Sequence, residues 1–228
     1  MKPIAIIPAR GGSKRILRKN IKLFLGKPII GYAIEAAIES NLFSKIIVST
    51  DDEDISKVAV SFGASCEWLR SKRLACDSTS TLDVIQDAVQ KMQSEKFEFV
   101  CCIYPTTPLL KSFHLTSGLS LLKSGDWDYI FAAQLISNNV HRSFYKKENN
   151  KIQLLFPENE LIGTQKLPEM YMDAGQFYWG KRKAWESGLP ILSSNTSILP
   201  MGFREVIDIN TEDDWKLAEQ MYLERNLN

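Results

Sequence analysis

The 228-residue chain carries 28 lysines and arginines against 27 acidic residues, a formal net charge of +1. That balance excludes a global electrostatic drive toward nucleic acid or an anionic membrane, and no apolar run is long enough to span a bilayer. The length suits a single α/β domain with a full core; seven of the 28 cations crowd between Arg10 and Lys27, which favours a small, highly charged ligand over a long polyanion.

The apolar run at residues 4–7 predicts a buried parallel strand, stopped by Pro8, which cannot donate to a ladder. Gly11, Gly12 and Ser13 follow among the cations Arg10, Lys14, Arg15, Arg18, Lys19 and Lys22. Glycines let backbone N–H groups approach an anion closely, and the cations supply the opposing charge. The expectation is a polyphosphate loop, with a solvated basic turn as the alternative. Neither the Walker A order nor the dinucleotide fingerprint is present. Pro28 opens a helix with Ile30, Ala33, Ile34, Ala37 and Ile38 on one face. A second strand is expected at 45–49, after which Thr50-Asp51-Asp52 caps a helix that carries Ile55, Val58, Ala59 and Phe62 and ends at Gly63. Residues 66–69 read as a short third strand, 70–80 as a polar loop, and Thr81 as the start of another helix. A fourth strand, of the doubly buried type, covers 99–104. Pro105-Thr106-Thr107-Pro108 forms a rigid loop, 112–122 a helix and 129–133 a fifth strand.

This repeated β-loop-α order predicts a mostly parallel, doubly wound, Rossmann-like sheet with helices on both faces. Ligands of such sheets bind outside the carboxyl ends of the strands. The basic loop, 49–51, 70–81 and 105–108 all fall there, which argues for one nucleotide-sized pocket. Residues 135–172 break the rhythm and read as an inserted dimerisation arm or a solvent loop, with a strand candidate at 151–155. A strand with Phe177, Tyr178 and Trp179 follows at 175–180, then a short helix at 181–186. A last strand is expected at 206–208, with Asp208 at its carboxyl end. Thr211 and Asp214 resemble a capping box for a final helix that turns Trp215, Ala218, Met221 and Tyr222 inward.

No linker divides the chain, so residues 1–228 read as one domain. Cys66, Cys76, Cys101 and Cys102 lack metal-ligand spacing and read as small core residues, Cys101 and Cys102 on opposite faces of a strand. His114 reads as a helix-surface residue and His141 as a weak site candidate. Pro8 and Arg10 interrupt any leader-like apolar stretch, and a cytoplasmic protein is expected.

Ala9-Arg10-Gly11-Gly12-Ser13-Lys14, followed by Lys19-Asn20, resembles the signature of the CMP-sugar synthetases that activate nonulosonic acids. Pro105–Pro108 is similar to their second motif, and Asp208-Ile209-Asn210-Thr211 to their metal-binding D-x-D-T. The resemblance runs through essentially the whole chain in order. Residues 171–180 and His141-Arg142-Ser143-Phe144 resemble the branch that takes pseudaminic acid. Arginines that sialic acid members place near Thr164 and Met172 are absent, which argues for a different nine-carbon acid.

The resemblance implies a homodimeric enzyme that joins CMP, from CTP, to the anomeric hydroxyl of the sugar acid and releases pyrophosphate. Such chemistry needs positioning and charge neutralisation. By the same resemblance Lys19, Arg10 and Asp208 are catalytic, and Ala9, Gly11, Gly12 and Ser13 join Arg10 and Lys19 at the triphosphate. Asn20 lies near the nucleotide, while Arg70, Asp77 and Thr81 line the cytidine pocket. Mg2+ sits on Asp208, with Asn210 where the family has a second Asp. From the residues themselves, Tyr104, Asp173 and Gln176 are candidates to face the sugar, with core packing for Tyr104 and a structural role at the strand entrance for Asp173 and Gln176 as the alternatives; Arg142 resembles the basic residue that the family's arm sends into the neighbouring subunit's site. CMP-sialate or CMP-legionaminate synthesis is the alternative within the class. A catalytically silent CTP-binding protein is the alternative outside it, and Asn210 supports it.

Overall fold

The computed structural model describes residues 1–136 and 138–226. Ser137, inside the expected arm, and residues 227–228 lie outside the described residues. In chain order the elements are β1 (Ile4–Pro8), a short antiparallel pair β2 (Leu23–Phe24) and β3 (Lys27–Pro28), α1 (Ile29–Glu39), β4 (Lys45–Ser49), α2 (Glu53–Ser61), α3 (Thr81–Lys91), β5 (Phe99–Ile103), α4 (Ser112–Ser124) and β6 (Tyr129–Ile136). There follow the antiparallel hairpin β7 (Phe144–Lys146) and β8 (Ile152–Leu154), then β9 (Met170–Lys181), α5 (Arg182–Glu186), β10 (Thr196–Met201) and α6 (Glu212–Asn226).

Six strands form the main sheet in the order β10-β6-β9-β5-β1-β4. β1 pairs in parallel with β4 and β5, and β10 with β6, while β9 runs antiparallel between β5 and β6. Alternation along the strands feeds two cores. Ala5, Ile7, Cys101, Ile103, Phe177 and Trp179 pack with α1, α2 and α4. Ile4, Ile6, Val100, Cys102 and Tyr178 pack with α3 and α5 on the other face. The sheet is thus covered on both sides, as doubly wound parallel strands require. Each fully buried Ile contributes about 1.5–3 kcal/mol of transfer free energy. Cys101 and Cys102 divide between the two cores as expected.

A third, smaller cluster matters more for the site. Ile16, Phe24, Ile29 and Tyr32 pack with Ile209, Trp215 and Ala218. Phe24 meets Tyr32 and Trp215 edge-on, with ring centroids 5.3 and 5.6 Å away. This packing ties the far half of the basic loop to α6 and to the segment that carries Asp208. Asp214 fixes the start of α6: its Oδ2 accepts from the N–H groups of Asn210 (2.9 Å) and Thr211 (2.7 Å) and from the Thr211 hydroxyl (2.9 Å).

Several expectations are corrected. Residues 66–69 form no continuous strand; isolated parallel bridges stand at either end, Ile47–Ser65 just before the segment and Thr50–Leu69 at its close. Residues 206–208 form no ladder either. Their alternating apolar pattern serves packing, with Val206 in one core cluster and Ile207 and Ile209 in another. β10 was not anticipated; it is an edge strand, where Pro200 costs no ladder bond to a further neighbour. His114 is buried rather than on the surface, because its Nδ1 accepts from the Lys111 N–H and so caps α4. Cys76 is exposed and Cys66 half-buried, so only two of the four cysteines are core residues.

Candidate functional site

The carboxyl ends of β1 and β5 open on a cleft of about 560 Å³. Arg10, Lys14, Lys19 and Arg70 line it together with Thr81, Tyr104 and Asp208. Local structure explains the loop's shape. The Gly11 N–H donates to Asp51 Oδ1 at 3.0 Å, and a Cβ on Gly11 would stand 2.7 Å from Asp52 Oδ2 and 2.9 Å from Asp52 Cβ. Glycine is therefore required there by close approach. Asp52 cannot yield easily, since its carboxylate caps α2 through the Asp54 and Ile55 N–H groups. Gly12 faces open space. The Asn20 amide donates to the Arg10 carbonyl at 2.8 Å, so Asn20, itself buried, braces the loop from below.

Each expected nucleotide residue can now be located. Ala9 is fully buried and extends the ladder by donating its N–H to Ser49; it does not line the cleft. Of the expected amide cradle, the Gly11 N–H goes to Asp51 and that of Ser13 to the Gly11 carbonyl at 3.0 Å, so both are already satisfied. Asp77 stands opposite the loop and bridges it, accepting from Arg10 at 2.6 Å and Lys14 at 2.5 Å. Those bonds hold its carboxyl below the usual range. Asp77 thus occupies Arg10, which was assigned to phosphate, and a second cation of the basic loop, and an arriving polyanion would compete with it.

Arg70 is the most informative side chain. Its residue is 5 % exposed, and its Nε and Nη2 have no hydrogen-bond partner. Asp51 Oδ1 lies 3.8 Å from Nη2, beyond hydrogen-bond range. Burial pushes its pKa down, against the pull of Asp51. A buried, unsatisfied guanidinium is costly unless a ligand completes it. Lys19 is also partly buried; desolvation lowers its pKa, opposed by Asp208, and its Nζ donates to the Ile209 carbonyl at 2.7 Å.

Tyr104 forms part of the cleft, its hydroxyl engaged with Thr81 Oγ1 at 2.8 Å and its ring tilted against Tyr178, with centroids 5.3 Å apart. Beyond Asp208 and Asn210 a second cavity, also about 560 Å³, opens between the start of β9, the loop after β10 and α6. Asp173 lines it. The β6–β9 register breaks between Phe131–Tyr178 and Ala133–Asp173, so β9 bulges at the site. In the bulge Gly175 takes a φ of +59°, and Asp173 accepts from the Gly175 N–H (2.8 Å) and the Tyr178 hydroxyl (2.7 Å).

Gln176 and Arg142, the latter expected at the neighbouring subunit's site, line neither cavity of their own chain. Gln176 is buried and donates to the Ala174 carbonyl at 2.9 Å. Arg142 donates to the Ile162 carbonyl at 2.9 Å within the arm. His141 pins that arm, through Pro168 and Asn159. Asn210 is held on both sides, its Oδ1 accepting from Arg15 and its amide donating to Asp208 Oδ2, each at 2.6 Å. Sequence reasoning passed over the bracing role of Asp51, the Tyr178 hydroxyl that fixes Asp173, and Arg204 at the second cavity. A lone cation between Phe203 and the Asp208 motif was the available signal for Arg204.

A mostly parallel sheet that gathers cations, among them a buried arginine, around one cleft is the framework of a nucleotide-handling enzyme. The model of the family described as Cytidylyltransferase matches residues 4–187, and the chain belongs to that family. Among its relatives, the pseudaminic acid cytidylyltransferase of Campylobacter jejuni subsp. jejuni is 39% identical over 97% of both chains. The CMP-N,N'-diacetyllegionaminic acid synthase of Legionella pneumophila is 32% identical over 97% of this chain and 96% of its own. The N-acylneuraminate cytidylyltransferase A of Danio rerio is 34% identical over 96% of this chain, which spans 50% of its length. In fold, the chain is similar to CMP:2-keto-3-deoxy-manno-octonic acid synthetase complexed with CTP, with a TM-score of 0.76 over 99% of this chain and 100% of that one, at 16% identity.

Proposed function

We propose that this protein transfers the cytidylyl group of CTP to the anomeric hydroxyl of pseudaminic acid. The bond from the anomeric oxygen to the α-phosphorus forms, the α–β phosphoanhydride bond breaks, pyrophosphate leaves and the hydroxyl proton goes to solvent. The observation that carries the reading is the gathering of Arg10, Lys14, Lys19 and the buried Arg70 around one cleft at the sheet's edge. The choice of sugar rests on the Campylobacter jejuni relative.

The residues act by binding and neutralising charge. Arg10 and Lys14 exchange Asp77 for phosphate oxygens, Arg70 adds positive charge to the wall of the cleft, and Lys19 follows the transferring group as a point charge. Asp208 is the residue that suits Mg2+. It offers a hard, exposed oxygen where the two cavities meet. Among the described residues no group of three or more His, Cys, Asp or Glu could hold a metal by itself. Reliance on one carboxylate and substrate phosphates is the habit of Mg2+. Asn210, committed to Arg15 and Asp208, orients that carboxylate rather than adding a second charge. When bound, the ion supplies Lewis-acid neutralisation of the phosphate charge.

A homodimer belongs to the same reading, supported by the exposed apolar side chains Phe144, Ile152, Leu155 and Leu161 on the arm. So does a cytoplasmic location; among the described residues no helix is long and apolar enough to cross a membrane. The test is turnover of CTP against pseudaminic, legionaminic and N-acetylneuraminic acids. Pseudaminic acid should give the highest kcat/KM, and a higher value for either of the others would reassign the acceptor.

A further inference from the structure

The second cavity is mostly apolar, with Met172, Phe203, Val206 and Leu217 in its walls and the carboxylates of Asp173, Asp208 and Asp214 beside them. Arg204 is the one cation among the described residues that line it. It makes no hydrogen bond or ion pair with another described residue, although acids share the cavity. The chain around it is anchored. Met201 and Val206 are buried, and Glu205 accepts from the Gly202 N–H at 2.8 Å while its other oxygen lies 3.5 Å from His114 and 3.6 Å from Arg225. Between those anchors Phe203 stays 81 % exposed. The loop therefore holds an unpaired cation and a bare aromatic ring over an apolar groove.

That arrangement suits an anion bearing apolar substituents. We propose that Arg204 binds the carboxylate of the sugar acid while Phe203 and Met172 cover its N-acyl methyl groups; this rests on a nine-carbon acid being the acceptor. The other charged groups of the cavity are acids, so a carboxylate gains only at the Arg204 end. The anomeric hydroxyl sits on the carbon that bears this carboxylate, so Arg204 also holds that hydroxyl on the side of Asp208, where the cavity meets the nucleotide cleft.

Steady-state kinetics of Arg204→Ala and Arg204→Lys, with the sugar acid and with its uncharged carboxamide, test the assignment. Loss of a charge-assisted pair should raise KM for the acid about 10- to 100-fold in Arg204→Ala and leave KM for CTP unchanged. The wild-type preference for the acid over the carboxamide should vanish in that variant, and Arg204→Lys should recover part of it. A KM for the acid that stays at the wild-type value in Arg204→Ala, with the preference intact, overturns the role of Arg204 alone. A wild-type protein that turns over no nine-carbon acid with CTP overturns the reading beneath it instead.

Discussion

Two adjacent glycines in the basic loop do different work. A side chain on Gly11 would run into Asp52, the cap of α2, whereas one on Gly12 would meet nothing within 4 Å. Gly11→Ala should therefore cost about 1–3 kcal/mol in chemical denaturation, as overpacking does, and weaken CTP binding. Gly12→Ala should stay within about 0.5 kcal/mol of wild type; equal costs for the two would refute the steric account. At the rim of the same cleft, the Ser78 and Thr79 hydroxyls lower the Cys76 thiol to about 7. Only the thiolate is alkylated, and its fraction grows as pH rises through the thiol's pKa. Iodoacetamide modification of Cys76 should therefore accelerate through about pH 7, and CTP should slow it. A midpoint near about 8.5, the value of an ordinary thiol, would contradict the hydroxyl effect.

The elements that were legible in the sequence are those whose local signals agree with the fold. β1, β4 and β5 are short apolar runs stopped by Pro8, Thr50 and Pro105. α2 and α3 carry caps at Asp52 and Ser80. What escaped is what long-range pairing decides. β9 reads as a strand, but nothing local marks it as antiparallel or shows that it bulges at Ala174–Gln176 to bring Asp173 toward Asp208. The apolar alternation at 206–209 looked like a ladder because packing between two clusters produces the same pattern. The site divides in the same way. Arg10, Lys19, Arg70 and Asp208 were marked by the family resemblance, and the fold brings all four to one cleft. The amide of Gln176 is taken up by backbone carbonyls, that of Ala174 in the bulge at 2.9 Å and that of Ile207 outside it at 3.3 Å.

In the whole molecule, the arm extends a hairpin with apolar side chains that this chain alone leaves exposed. If Arg142 serves the neighbouring subunit's site, a heterodimer of Arg142→Ala and Lys19→Ala chains contains one complete site. Two inactive variants should then regain about half the wild-type activity per dimer, by the two-fold logic of an isologous pair. Verified heterodimers without recovery would leave Arg142 as a brace of its own arm. The two cavities joined at Asp208 form the centre of the account, one for the nucleotide and one for the acceptor. The measurement that bears on it most directly is the purified protein with CTP, Mg2+ and pseudaminic acid, followed by pyrophosphate release and product mass. The account predicts one pyrophosphate for each CMP-linked nine-carbon sugar formed; tight CTP binding with no turnover of any nonulosonic acid would contradict it.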